Sequence, residues 1–202
     1  MGPRRKPSQD RVGFAVEHGV DVEGRVVYLV GDVDEAVVVR FLAALHVLDA
    51  EESPVRVILS SDGGGVDAGM AIYDAIRTTR SRVTVDCYGA CQSIAALILQ
   101  AADVRRVSPE CRLMIHNGSV RVENTSADTM ESIGREVALL NRRYWEILAR
   151  RSGLTTDRIK EMCQVETYLS AAEAVEAGLA DEVIRASSGM MGKRTRGRRY
   201  RK

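Results

Sequence analysis

The chain has 202 residues, 45% of them apolar and 28% charged, with a formal net charge of +1. These values fit one compact domain with short extensions and exclude a collagen-like, disulfide-dense or intrinsically disordered chain. No apolar run approaches the length of a bilayer crossing, and Met1-Gly2-Pro3-Arg4-Arg5-Lys6-Pro7 lacks the apolar segment of a secretory signal, so the expected address is cytoplasmic, away from membranes.

The charge is unevenly spread. Residues 186–202 hold seven Lys/Arg and no acid, residues 1–11 carry a net +3, and residues 12–185 are left at −9. We therefore read a basic, flexible N-terminal segment (1–20), a folded domain (21–185) and a basic, disordered C-terminal tail (186–202), with solvation rather than nucleic acid as the reason for the basic ends. Cys87, Cys91, Cys111 and Cys163 lack paired ligand spacing and read as buried free thiols, with no metal implied.

In chain order, Val26 to Val30 is a β-branched run ended by Gly31, a core strand. Asp32 with Glu35 three residues on gives an N-cap signal, followed by Val37, Val38, Phe41, Leu42, Leu45 and Leu48 at helical spacing. Val55 to Leu59 is the next strand, Ser60 to Gly65 a glycine turn, and Asp67 to Thr79 a helix. Arg82 to Cys87 is a strand, and Ile94 to Ala102 an apolar run long enough for a buried helix. This strand–helix alternation predicts a parallel sheet with right-handed crossovers. Arg105–Val107 and Arg112–Ile115 are two more strands, Asn117 to Ser126 a loop or exposed hairpin, and Met130 to Ile147 the apolar stripe of the longest helix, closed by Gly153. Thr156 to Cys163 is a short helix, Ser170-Ala171-Ala172-Glu173 a capping box, and Asp181 to Ile184 a final strand.

Three positions at strand ends carry chemistry: the turn at Gly63-Gly64-Gly65, Ser93 and His116. Ligand sites in parallel α/β sheets form outside the carboxyl ends of the strands, so these three can converge. Serine becomes a nucleophile when a base takes its proton, and histidine titrates in the range to do so. Taken alone, Ser93 reads more readily as a helix N-cap than as a nucleophile, serine being a preferred cap residue. Gly63-Gly64-Gly65 lacks the lysine and the serine or threonine of a P-loop, so it does not read as a nucleotide-binding loop.

Ser61-Asp62-Gly63-Gly64, Ala68-Gly69-Met70-Ala71-Ile72-Tyr73-Asp74, Gly89-Ala90-Cys91-Gln92-Ser93, Arg112-Leu113-Met114-Ile115-His116 and Leu169-Ser170-Ala171-Ala172-Glu173-Ala174 resemble, in order, the motifs of the Clp protease proteolytic subunit family. The resemblance runs from about Val26 to Ile184. It implies a crotonase-like stack of βαβ units with a long handle helix at Met130 to Ile147, and a homo-oligomer of heptameric rings, single or double, around a proteolytic chamber. It also implies unfolded protein or peptide substrates, no cofactor, and a separate AAA+ ATPase as unfoldase.

Matched residue by residue, the resemblance makes Ser93 the nucleophile, His116 the general base, and the backbone N–H groups of Gly64 and Ile94 the oxyanion hole. The family's triad aspartate falls at Glu166, which reads either as the third member or as a surface carboxylate. Glu166-Thr167-Tyr168-Leu169-Ser170-Ala171 is also similar to Clp-related head maturation proteases of tailed phages and prophages. Departures at Asp62, Gln92, Ile94 and Glu166 leave an alternative, a catalytically degenerate subunit that shapes an assembly. Acyl-CoA chemistry on the same fold accounts for fewer residues, because it uses the glycine turn without a serine–histidine pair.

Overall fold

In the computed structural model, which describes residues 8–120 and 126–185, the first element is a helix, α1 (Gln9–His18), whose N-terminus Ser8 caps by accepting the Arg11 N–H and which Gly19 ends at φ +67°. This helix lies within the segment expected to be flexible over 1–20. No residue of α1 is buried. Arg11 instead ties it to the following turn, reaching Asp21 at 2.7 Å and Glu23 at 2.6 Å. Strand β1 (Val20–Asp21) then pairs antiparallel with β2 (Val26–Val30).

The alternation expected from the sequence follows. Helix α2 (Glu35–Asp49) starts at Asp34, not Asp32: the Asp34 carboxylate accepts the Val37 N–H at 2.8 Å, while Val33 is held in a bridge to Gly64 and cannot begin the helix. Strand β3 (Val55–Ser61), helix α3 (Val66–Thr78), strand β4 (Val83–Gln92), helix α4 (Ile94–Leu99) and strand β5 (Val104–Val107) come next. Strands β2, β3, β4 and β5 are mutually parallel neighbours, and alternate residues such as Val57, Leu59, Val83 and Val85 are fully buried on the helix-covered face.

β4 is longer than the six residues its alternation suggests. Leu59 pairs with Cys87 but Ser61 with Cys91, so two extra residues of β4 lie between these pairings, around Gly89 at φ +68°. Such an irregularity re-aims a strand. The first half of β4 pairs with β5, and the second half, Ala90–Gln92, pairs in parallel with β6 (Arg112–Ile115).

Helix α5 (Ala127–Ser152) is capped by Ser126 and closed by Gly153 at φ +78°. Helix α6 (Thr156–Cys163) leads into a strand the sequence reading missed, β7 (Thr167–Leu169), three residues antiparallel to β6. Helix α7 (Ala171–Glu176) starts from the expected capping box at Ser170 and Glu173, and β8 (Glu182–Val183) closes beside β5. The tail at 186–202 and part of the loop expected over 117–126 lie outside the described residues.

Candidate active site

Ser93 sits where β4 gives way to α4, and its backbone is at φ +54°, ψ −123°, a region that costs a non-glycine residue of order 1–3 kcal/mol. Its side chain makes no capping bond to α4, so the reading of Ser93 as an N-cap is set aside. The hydroxyl points instead at the neighbouring strand. Because Gln92 pairs with Met114 in parallel register, the ends of β4 and β6 lie side by side, and the Ser93 N–H donates to the Met114 carbonyl at 2.8 Å. His116 follows β6 directly, and its Nε2 lies 2.8 Å from Ser93 Oγ. Both residues are half-buried. That distance is a hydrogen bond, within the reach that proton transfer from a hydroxyl to an imidazole requires.

The glycine turn abuts the same hydroxyl. A Cβ built on Gly63 would lie 2.8 Å from Ser93 Cβ, and one built on Gly64 would lie 2.4 Å from the Val33 carbonyl oxygen. Both residues hold positive φ, +114° and +149°, so close approach and conformation each demand glycine. Val33 locks the turn by donating to the Gly63 carbonyl and accepting the Gly65 N–H, each at 2.8 Å. The intervening Gly64 N–H donates to no backbone group among the described residues, and neither does that of Ile94 at the first position of α4. Backbone N–H groups without an acceptor are the kind of donor that can stabilise an oxyanion.

Glu166 is not brought to His116. It is exposed, and its Oε2 accepts the Tyr168 hydroxyl at 3.0 Å. No carboxylate among the described residues comes within 4.0 Å of the His116 ring nitrogens. β7 explains the alternative contact. Ile115 pairs with Thr167, so His116 and Glu166 leave the same end of the β6–β7 ladder side by side, and Tyr168, two residues from Glu166, shares its face. The Glu166 carboxylate pushes the Tyr168 phenol above its usual pKa, and Arg112 lies over the Tyr168 ring at 5.2 Å.

The pair opens on a cavity of about 280 Å³ walled by Val66, Met70, Ile94, Val137, Leu140 and Tyr144. Three of these, Val137, Leu140 and Tyr144, belong to the apolar stripe of α5. Tyr144 does more than pack: its hydroxyl donates to the Ser93 carbonyl at 3.1 Å. Burial pushes its phenol well above its ordinary pKa, so it stays a neutral donor. A larger hollow of about 710 Å³ between α1, β2 and α2 has no serine, cysteine or histidine among its described lining residues. All four cysteines are buried and free. Burial raises the Cys111 and Cys163 thiols to about 12, so neither competes as a nucleophile at neutral pH. No described helix is long and apolar enough to cross a membrane.

The model of the Clp protease family matches residues 19–187. Among curated proteins, the chain is 33% identical over 181 residues to an ATP-dependent Clp protease proteolytic subunit 3 of Synechococcus sp. (strain CC9902), an alignment covering 85% of this chain and 90% of that one. The protein of the same description from Parasynechococcus marenigrum (strain WH8102) is 32% identical with the same coverage. With the stacked βαβ units, the glycine turn and the serine–histidine pair in their motif positions, the chain belongs to the Clp protease family, crotonase-like in fold.

Proposed function

We propose that this chain is a serine endopeptidase that cleaves peptide bonds by acyl-enzyme chemistry inside a chamber of its own copies. The observation that carries the reading is the 2.8 Å contact between Ser93 Oγ and His116 Nε2. Ser93 Oγ attacks the scissile carbonyl while His116 Nε2 takes its proton. The carbonyl oxygen becomes an anion facing the Gly64 and Ile94 N–H groups, and its removal from either costs about 2.7–4 kcal/mol of barrier. The intermediate then collapses: the C–N bond breaks, His116 returns the proton to the leaving amine, and an ester to Ser93 remains. Water, deprotonated by His116, then attacks the ester carbonyl; the bond to Ser93 Oγ breaks, His116 returns the proton to that oxygen, and the acid product leaves.

Glu166 is the third member in this reading. Leaving the Tyr168 hydroxyl for the imidazole takes a rotation about its own side chain, since residues directly opposite across an antiparallel pair have Cβ atoms about 4.5–5.5 Å apart. The apolar cavity beside Ser93 takes the side chain preceding the cleaved bond. Assembly into heptameric rings, single or double, a cytoplasmic address, and feeding by a separate ATP-driven unfoldase or use in phage-type protein processing complete the proposal. The relatives' description as subunits of an ATP-dependent protease supports this context.

One observation favours a second reading, a catalytically degenerate subunit: the Glu166 carboxylate is engaged by Tyr168. Labelling with a fluorophosphonate, read by intact mass on the wild type and Ser93→Ala, separates the two. A single adduct on the wild type alone supports the peptidase. No adduct on folded, assembled protein supports the degenerate subunit.

A further inference from the structure

The base stands at the last residue that the sheet supports. β6 ends at Ile115, and residues 116–120 have no regular structure, so the sheet fixes His116 only from its N-terminal side. On the other side, one turn of α5 takes over. The Asn141 side-chain amide grips both backbone groups of Gly118: its Oδ1 accepts the Gly118 N–H at 2.7 Å and its Nδ2 donates to the Gly118 carbonyl at 3.3 Å. Four residues on, and therefore on the same face of the helix, Trp145 Nε1 donates to Asn117 Oδ1 at 2.9 Å. The Asn117 N–H in turn donates to the Cys163 carbonyl at the end of α6, at 3.0 Å.

These bonds pin the two residues that follow His116, side chain and backbone, to two helices. With β6 fixing the residue before and α5 and α6 the residues after, the direction of the His116 Cα–Cβ bond is set from both sides. The helix that bonds Asn117 and Gly118 also donates, through Tyr144, to the Ser93 carbonyl. A single turn of α5 thus holds both partners of the 2.8 Å contact to one rigid body.

We infer that Asn141 and Trp145 are positioning residues for His116, holding the base on Ser93 through Gly118 and Asn117. The inference rests on the peptidase reading for its consequence in turnover, but its geometric core does not. It also assigns a reason for an asparagine and a tryptophan on a helix otherwise read as an apolar stripe. Trp145 is not a lining residue of the cavity, so its effect separates from substrate binding, whereas Asn141 lines it.

The test uses Trp145→Phe, which keeps an aromatic ring and loses the N–H, together with Asn117→Leu, which removes the acceptor, and the double variant. A misplacement of about 1 Å is worth about a hundredfold in rate, so each single variant should lose about ten- to a hundredfold in kcat and in fluorophosphonate labelling rate, with KM within about twofold. The double variant should be no worse than either single one, because both remove the same bond. Folded variants that keep the wild-type rate, or losses that multiply in the double variant, overturn the inference. A second readout needs no activity: the chain has three histidines, and the His116 ring resonances and titration, followed by NMR, should change in Trp145→Phe. Unchanged resonances overturn the inference. A wild type that fails to label while the resonances respond overturns the peptidase reading and leaves the positioning role in place.

Discussion

Helix α4 has two ends that treat polar groups in opposite ways. At its N-terminus the backbone is strained at Ser93, no side chain caps the helix, and the Ile94 N–H has no backbone partner among the described residues. At its C-terminus the polar groups are met by a buried network. Gln100 donates to the Ala96 and Leu179 carbonyls at 2.9 and 3.1 Å and accepts from Arg105 at 2.6 Å, while Arg105 reaches Asp181 at 2.6 Å and Arg151 covers the Ala102 carbonyl at 2.8 Å. Buried polar groups are ordinarily paired, at a penalty of about 1–3 kcal/mol each when they are not. The N-terminal end departs from this rule at the Ser93–Ile94 junction, and the C-terminal network departs from it at one atom, the Arg151 Nε, which has no partner among the described residues. The serine–histidine pair and the buried network thus lie at opposite ends of one six-residue helix.

The contrast breaks hardest at Ser93. Ser93→Ala relieves no packing defect and removes the attacking oxygen, so peptide cleavage should fall by about 10⁴-fold or more with the fold intact. Residual cleavage at the wild-type rate, in protein free of contaminating peptidase, would move the nucleophile elsewhere. Next comes the acid. Glu166→Gln should lower kcat by up to about 10⁴-fold, far more than it changes KM, if the carboxylate swings to the imidazole during turnover. A wild-type kcat in that variant means His116 works without it. Tyr168→Phe sharpens the point in the other direction: deleting the competing hydroxyl should raise kcat, and a fall would make Tyr168 part of the machinery.

A smaller loss is expected at the glycine turn. Gly64→Ala places a methyl against the Val33 carbonyl and forces an alanine to φ +149°, which displaces the free N–H from the oxyanion. Turnover should drop by about 10²–10³-fold. Circular dichroism and melting separate that loss from simple unfolding. Activity unchanged in a folded Gly64→Ala protein would remove this N–H from the mechanism.

Much of this arrangement was legible in the residues, for identifiable reasons. The apolar runs read at Val26–Val30 and at Val55 to Leu59 have period-two burial, and Ser170 with Glu173 is a local cap needing no tertiary partner, so each could be read without the fold, although the second strand runs on to Ser61. Ser93 and His116 were legible because both stand at strand ends, and a parallel register brings strand ends together. Glu166 was legible as a position but not as a contact, since its bond to Tyr168 is decided by a side-chain rotation at an exposed edge. α1 escaped notice because it buries nothing, β7 because three residues carry too short a period, and the roles of Asn141, Tyr144 and Trp145 because helical spacing states which residues share a face but not what that face meets. Asp34 replaced Asp32 as the cap of α2 because Val33 is committed to Gly64, a long-range pairing invisible to a local motif.

The opposite end of α4 supplies the smallest expected effect on turnover and the complementary effect on stability. Arg105 is almost fully buried, and Asp181 is bonded by its N–H, Nε and Nη2. Burial pushes the Asp181 carboxyl up, but these bonds from Arg105 outweigh it and hold the group below the usual carboxylate range. A carboxyl depressed on folding contributes stability above its unfolded value, about 3.9, and that contribution fades as pH falls through the lower folded value. Asp181→Asn removes the charge that Arg105 pairs with. Because Asp181 is partly open to solvent, the cost should be about 1–3 kcal/mol at neutral pH. The variant's melting temperature should approach that of the wild type as pH falls below about 4, and its kcat at permissive temperature should stay within about twofold of wild type, because the Ser93 end of α4 is untouched. A large loss of kcat in stable Asp181→Asn protein would show that the two ends of α4 are coupled, and that the fold's buried network also sets the geometry of the nucleophile.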